Sequence, residues 1–241
     1  FGRSLYTIGE LTLGFTRICE LRRRLAYFLD SFDDIARLYL GHAYFGPLEE
    51  LDQQFSLSGR RVVEFGCFDG YQTLGLTHLG ADVTCIEARA ENAIKTRAAA
   101  DALGFDQVKI KMDDFHNATP SRYGKFDLAF AHGVYYHAMQ PLTFLQNLTE
   151  LADNVFVGGF CATANMPASE WRILTDGQRE YRAKRYTEGN DFTAGVNDSG
   201  YFFDKDDLRD FFETRKYDVT VISDEPSEQV AGRYLRFFAQ R

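Results

Sequence analysis

A wound α/β fold with a mostly parallel sheet is predicted by three observations. From Arg61 onward, short apolar runs alternate with helical stretches, the pattern of strands joined by crossover helices. The first run, Arg61-Val62-Val63-Glu64-Phe65, has strand length and β-branched or aromatic character, and glycines bound it at Gly59 and Gly66. It passes into a tight turn between Gly66 and Gly70 and then into a helix from about Tyr71, where glycine permits close approach of another group.

The elements follow in order. Residues 1–58 read as a helical cap, with Leu21, Leu25, Phe28 and Leu29 on one face flanked by Arg22–Arg24. A second helical stretch covers Ile35, Leu38 and Tyr39 and stops at Gly41, and a third runs from Leu48 to Phe55. Tyr39, His42, Tyr44 and Phe45 either cover a pocket or pack against the main domain.

Residues 59–241 form that main domain. Its strands are Val62–Phe65, Asp82–Ile86 ending at Glu87, Val108–Met112 ending at Asp113-Asp114, Phe126–Ala131 ending at His132-Gly133, and Asn154–Val157. Helices run from Tyr71 to Leu79, from Ala90 to Leu103 (rich in alanine, the best helix former) and from Leu142 to Ala152 behind Pro141. An insertion over 161–200 then breaks the rhythm. A helix at Lys205–Thr214 and strands at Asp218–Ile222 and Tyr234–Phe238 complete the chain.

The formal net charge of −8 disfavours a nonspecific grip on nucleic acid or anionic membrane. No apolar run reaches the roughly 18 residues of a membrane span, and no signal-peptide pattern is visible, so the cytoplasm is the expected compartment. Cys19, Cys67, Cys85 and Cys161 form no C-x-x-C pair and read as buried thiols, with no metal site implied.

Spacing narrows the ligand of the glycine turn. In a dinucleotide fingerprint counted from Gly66, the later glycines fall on Phe68 and Tyr71, so that match fails. The turn also lacks the Gly-Lys-Ser/Thr ending of a P-loop. What remains is acidic-x-Gly-x-x-x-Gly: Glu64, Gly66, Gly70. This stretch resembles motif I of the class I, Rossmann-like S-adenosylmethionine-dependent methyltransferases. The resemblance covers roughly residues 58–240 and implies seven strands with the last antiparallel.

It also implies S-adenosylmethionine as cofactor and S-adenosylhomocysteine as product. Glu87 stands about 20 residues beyond the turn, where a ribose-binding acid is expected. By resemblance, Asp113 or Asp114 meets the adenine amino group, with Asp113 favoured and Phe115 near the ring; the alternative is that one of them caps the following turn. Glu64 approaches the methionine ammonium, and the N–H groups around Gly66–Gly70 face its carboxylate. Cys67 and Phe68 in the turn, Ala88 after Glu87, and His132 complete the cofactor set.

The segment His132-Gly133-Val134-Tyr135-Tyr136-His137 is similar to the wall of the reaction centre in members that act on small molecules and in some that act on tRNA. His132 and His137 are the candidate bases. Tyr135 is a further catalytic candidate, although one of Tyr135 and Tyr136 points into the core. The insertion carries Trp171, Tyr181, Tyr186 and Phe192 among Arg172, Arg179, Arg182, Lys184 and Arg185. Those five cations within fourteen residues either meet an anionic substrate or RNA, or form one solvated face of a helix. A lid that sets substrate identity is the expected role.

The leading reading is a methyltransferase acting on an oxygen or nitrogen of a small molecule. The second is a tRNA-modifying methyl or carboxymethyl transferase. The third is a cofactor-binding regulator without turnover. The N-terminal helices either close over the site or build a homodimer contact.

Overall fold

The structure, a computed structural model, describes residues 42–163, 170–189, 194–227 and 232–241. The expected helices over residues 21–29 and 35–39, the side chains of His42, Tyr44 and Phe45, and Phe192 lie outside the described residues.

The elements are α1 (His42–Phe55), β1 (Arg61–Phe65), α2 (Tyr71–His78), β2 (Asp82–Glu87), α3 (Ala90–Leu103), β3 (Lys109–Met112) and α4 (Pro120–Tyr123). Then come β4 (Leu128–His132), α5 (Pro141–Leu151), β5 (Asn154–Cys161), β6 (Trp171–Asp176), β7 (Arg179–Thr187), β8 (Ser199–Phe203), α6 (Lys205–Glu213), β9 (Asp218–Ser227) and β10 (Gly232–Gln240). Seven strands form one sheet in the order β3-β2-β1-β4-β5-β10-β9, and three form another in the order β6-β7-β8. The seven-stranded sheet is mostly parallel, and its last strand in the chain, β10, runs antiparallel to both β5 and β9. This is the Rossmann-like architecture.

The described residues divide into two compact units, 42–60 with 67–112, and 61–66 with those from 113 onward. In the first, β2 and β3 pair in parallel, Cys85 opposite Ile110. Leu74 on α2, Ala99 and Ala100 on α3, and Val108 form a core against which Leu103, Phe105 and Ile110 pack. The alanines give α3 its helix propensity and let it lie close. Gly104, at φ 77, ends it in the left-handed turn that glycine takes without a Cβ penalty. α1 buries Leu48 and Leu51 and runs through Pro47. It begins six residues before the expected Leu48 start, carrying Pro47 within it.

In the second unit, β1 pairs with β4 and β4 with β5, all parallel, with Glu64 opposite Phe130 and His132 opposite Gly158. Val62, Val63, Phe65, Leu128, Phe130, Val155, Phe156 and Val157 are buried, which explains why these strands read as unbroken apolar runs. Asp204 caps α6 by accepting hydrogen bonds from the Asp206 and Asp207 N–H groups, and Leu208, Phe211 and Phe212 form the buried face of that helix.

The 161–200 insertion departs from the helical reading of its cations. β6 and β7 form an antiparallel hairpin closed by Gly177 (φ 60) and Gln178, and β8 extends it. Tyr181 and Ala183 point inward and their neighbours outward, the period of a strand. Phe203 is core, whereas Tyr201 and Phe202 are only half-buried.

Candidate functional site

The glycine turn forms as its residue types require. Gly66 and Gly70 stand at φ 72 and φ 85. A Cβ on Gly66 would come within 3.1 Å of Val134 Cγ2, and one on Gly70 within 3.1 Å of Thr96. The turn closes with a hydrogen bond from Gly70 N–H to Cys67 O (2.7 Å). Phe68 also adopts a left-handed backbone, φ 50, which costs a side-chain-bearing residue roughly 1–2 kcal/mol. That strain aims the Phe68 N–H at Glu87 Oε2 (3.3 Å), while Oε1 accepts from Arg89 N–H (2.8 Å) and the Cys67 thiol stands 3.7 Å from Oε2. Glu87 is buried and Ala88 half-buried. α2 opens at Gly70 with no side-chain cap.

Glu64 is buried on β1. Past β3, Asp113 and Asp114 take different partners. Asp114 caps a 3-10 turn over Phe115–Asn117, accepting from the N–H (2.8 Å) and Nδ1 (2.7 Å) of His116. Asp113 accepts from Tyr123 Oη (2.6 Å), Arg122 (2.7 Å), Asn117 (3.0 Å) and Asp114 N–H (2.9 Å). Burial pushes its carboxyl up, but those donors outweigh it and hold it below the usual carboxylate range. The Asp113 side chain is 7% exposed against 37% for Asp114.

β4 delivers His132, and a 3-10 turn follows at Tyr135–His137. His132 lies among the rings of Phe130, Phe156 and Tyr234, with Nε2 3.2 Å from Tyr234 Oη. Burial, and then the Arg236 guanidinium, push it down to about 4, so it is neutral at pH 7 and a poor proton acceptor. Tyr135 is completely buried, its hydroxyl donating to Phe160 O and lying 3.1 Å from Cys161 Sγ. Its hydroxyl is thus engaged within the core. Burial raises the Cys161 thiol to about 12. Tyr136 is half-buried, its ring near those of Phe160 (5.4 Å) and Phe202 (5.6 Å). Gly158 and Gly159 make room for this turn: a Cβ there would come within 2.2 Å of His132 Cδ2 and 2.7 Å of the Tyr135 ring.

His137 has partners the sequence did not reveal. Its Nδ1 is 2.7 Å from Glu188 Oε1 and 3.2 Å from Tyr186 Oη. Tyr186 donates to the same carboxylate oxygen (2.6 Å), and Gly195 N–H donates to Oε2 (3.2 Å). Burial raises Glu188, but the bonds from His137 and Tyr186 outweigh it and leave it below its ordinary value. Burial, then the Glu188 carboxylate, push the Tyr186 hydroxyl well up, so it stays a donor.

The cations of the insertion are mostly paired locally. Arg182 meets Asp204 and Asp207 (both 3.1 Å), Lys184 meets Glu170 (2.8 Å), Arg179 meets Asp210 (3.5 Å), and Arg185 donates to Ser199 (3.0 Å). They form no bare basic strip. Among the described residues no group of three or more His, Cys, Asp or Glu is placed to hold a metal ion, and no helix is long and apolar enough to cross a membrane.

Residues 63–154 match the model of a family described as a methyltransferase domain. No curated protein matches the chain. Among solved structures, the N-terminal domain of EvdMO1 with SAH bound is similar with a TM-score of 0.71 at 18% identity, covering 93% of this chain and 96% of that one. The magnesium protoporphyrin IX methyltransferase of Synechocystis PCC 6803, with bound SAM, gives a TM-score of 0.55 at 14% identity, covering 95% and 97%. The 1,6-didemethyltoxoflavin-N1-methyltransferase of Burkholderia thailandensis gives 0.56 at 15% identity, covering 100% and 93%. At these identities the likeness is one of fold.

Proposed function

We propose, starting from a chain that carries a class I, Rossmann-like methyltransferase domain, that it transfers the methyl group of S-adenosylmethionine to an oxygen or nitrogen of a small molecule. The observation that carries this reading is the buried Glu87 carboxylate at the end of β2, held against the glycine turn by the N–H groups of Phe68 and Arg89.

The residues present fit the cofactor. An ionised carboxylate accepts from two vicinal ribose hydroxyls at once. The positive N-terminal end of α2 suits an amino-acid carboxylate, and Glu64 suits an ammonium. Asp114, the more exposed of its pair, suits the adenine amino group. When bound, the cofactor supplies an electrophilic methyl carbon. The chain's own part is to hold an acceptor in line with it and to take up a proton. The half-buried rings of Tyr136, Phe160 and Phe202 offer a surface for a small ring-shaped acceptor. Structural neighbours were solved with D-fucose or with 1,6-didemethyltoxoflavin, both small molecules. The paired cations of the insertion give no observation in favour of the tRNA reading.

Calorimetric titration with S-adenosylhomocysteine tests the cofactor. Binding by the wild type, weakened about 100-fold or more in Glu87→Ala, is expected, because two charge-assisted hydrogen bonds at roughly 1.5–3 kcal/mol each are lost. A folded wild type that binds neither S-adenosylmethionine nor S-adenosylhomocysteine defeats the reading. A screen for S-adenosylhomocysteine release, over sugars including D-fucose, phenols and primary amines, then identifies the acceptor.

A further inference from the structure

We propose that Glu188 positions His137 as the general base of this site, and that the methyl acceptor is therefore a hydroxyl group. The inference rests on the methyl-transfer reading above and specifies the atom it acts on.

The geometry carries the argument. Glu188 is held as a carboxylate, an acceptor only, so the proton between Glu188 Oε1 and His137 Nδ1 resides on the nitrogen. Tyr186 supplies its own proton to Glu188, so it also presents an oxygen rather than a hydrogen to Nδ1. Both hydrogen bonds of the His137 ring to described residues fall on Nδ1. In the neutral ring Nε2 therefore carries the lone pair, and the side chain remains 16% exposed while Glu188 is only 4% exposed. A buried carboxylate behind an accessible imidazole fixes both tautomer and orientation and stabilises the imidazolium as it forms. The support is built deliberately tight: a Cβ on Gly195 would lie 2.9 Å from His137 Cβ and 3.2 Å from Glu188 Oε1.

Such a device serves one class of acceptor. A carboxylate has no proton to lose, and a neutral amine attacks with its lone pair and sheds a proton afterwards. A hydroxyl must lose its proton as the new bond forms. A hydroxyl and a sulfonium become an ether, a thioether and one proton. His137 Nε2 takes that proton, and the imidazolium later returns it to water. Glu188 never touches the acceptor; it acts through His137.

Long-range proton–nitrogen correlation spectra of the 15N-labelled full chain test the positioning directly, with His137→Gln providing the assignment. His137 is expected to carry its proton on Nδ1 when neutral. In Glu188→Leu, which removes the acceptor and leaves the Tyr186 hydroxyl to donate to Nδ1, the preference for a proton on Nδ1 is expected to be lost. A proton on Nε2 in the wild type, or an unchanged tautomer in Glu188→Leu, overturns the proposal.

Kinetics with the acceptor found in the screen test the chemistry. His137→Gln is expected to lower kcat by about 100-fold or more and to abolish the rise of kcat/KM with pH. Glu188→Leu is expected to lower kcat while KM stays near the wild-type value, as a residue acting only through His137 should. An amine or carboxylate acceptor, or wild-type kcat in His137→Gln, overturns the hydroxyl assignment. Failure of the cofactor reading shows separately, as absent S-adenosylhomocysteine binding by the wild type, on which the spectra do not depend.

Discussion

Gly200→Ala is expected to lower the melting temperature by on the order of 10 °C, the largest stability loss of any single methyl added to a described glycine. A Cβ at this position of β8 would stand 2.0 Å from the carbonyl oxygen of Tyr136 and 2.9 Å from both Cε1 and Oη of Tyr186. The first obstacle is backbone, so no rotamer change relieves it; the 3-10 turn carrying His137 has to move away from β8. Overpacking of this kind costs up to about 3 kcal/mol or more, and a chain of this size loses roughly 2–4 °C per kcal/mol. Calorimetric melting of the variant beside Gly177→Asn gives the comparison. Gly177 has nothing within 4 Å of its built Cβ, and asparagine tolerates its left-handed backbone. A Gly200→Ala protein that melts within a degree or two of the wild type means that β8 and the turn are not seated as described.

Acid sensitivity traceable to His132 is the second large effect. In the unfolded chain a histidine titrates near 6.5, whereas the half-buried ring packed beside Phe130, Phe156 and Tyr234, with the Arg236 guanidinium nearby, is pushed down to about 4. Above pH 6.5 neither state binds the proton, and the site leaves stability unchanged. As pH falls from 6.5 towards 4, the unfolded state takes up a proton that the folded state refuses, so stability declines; below about 4 the loss is complete. The full swing is on the order of 3 kcal/mol. Urea denaturation across pH 4–7 checks this, with His132→Gln as the reference: the variant is expected to show a flatter dependence over that window. A wild type and a variant with parallel profiles would falsify the burial of the neutral ring.

The central strands were legible because they are written as continuous apolar runs, and two of their crossover helices are followed by glycine, at Gly80 and Gly104. Val62–Phe65, Val83–Ile86 and Leu128–Ala131 leave little choice. The β6–β7 hairpin escaped because five cations in fourteen residues were weighed as a helix face. The alternation of Tyr181 and Ala183 with charged neighbours, and Asp176-Gly177 between the two runs, are hairpin signals that could have found it. Of adjacent Tyr135 and Tyr136, the fold seats Tyr135 inward, its hydroxyl donating to Phe160 O, and leaves Tyr136 half-buried. Asp113 and Asp114 read as a strand end, while the partners of Asp113, Tyr123 and Arg122, are linked to it by no spacing rule. Glu188 was invisible for the same reason. It stands 51 residues from His137, an unremarkable acid in a charged stretch until the chain folds.

The buried thiols give the molecule an internal clock. Cys67 and Cys85 lie in the first compact unit and Cys161 in the second, each no more than 3% exposed. A disulfide reagent can reach them only when the surrounding structure opens, and Cys161 is further protected by a thiol raised to about 12. Timed labelling followed by peptide mass analysis thus reads the opening of each unit separately, without a mutation. Equal labelling rates at Cys85 and Cys161, after correction for intrinsic reactivity, mean that the chain breathes as one cooperative body. A faster rate at either marks that unit as the one that loosens first.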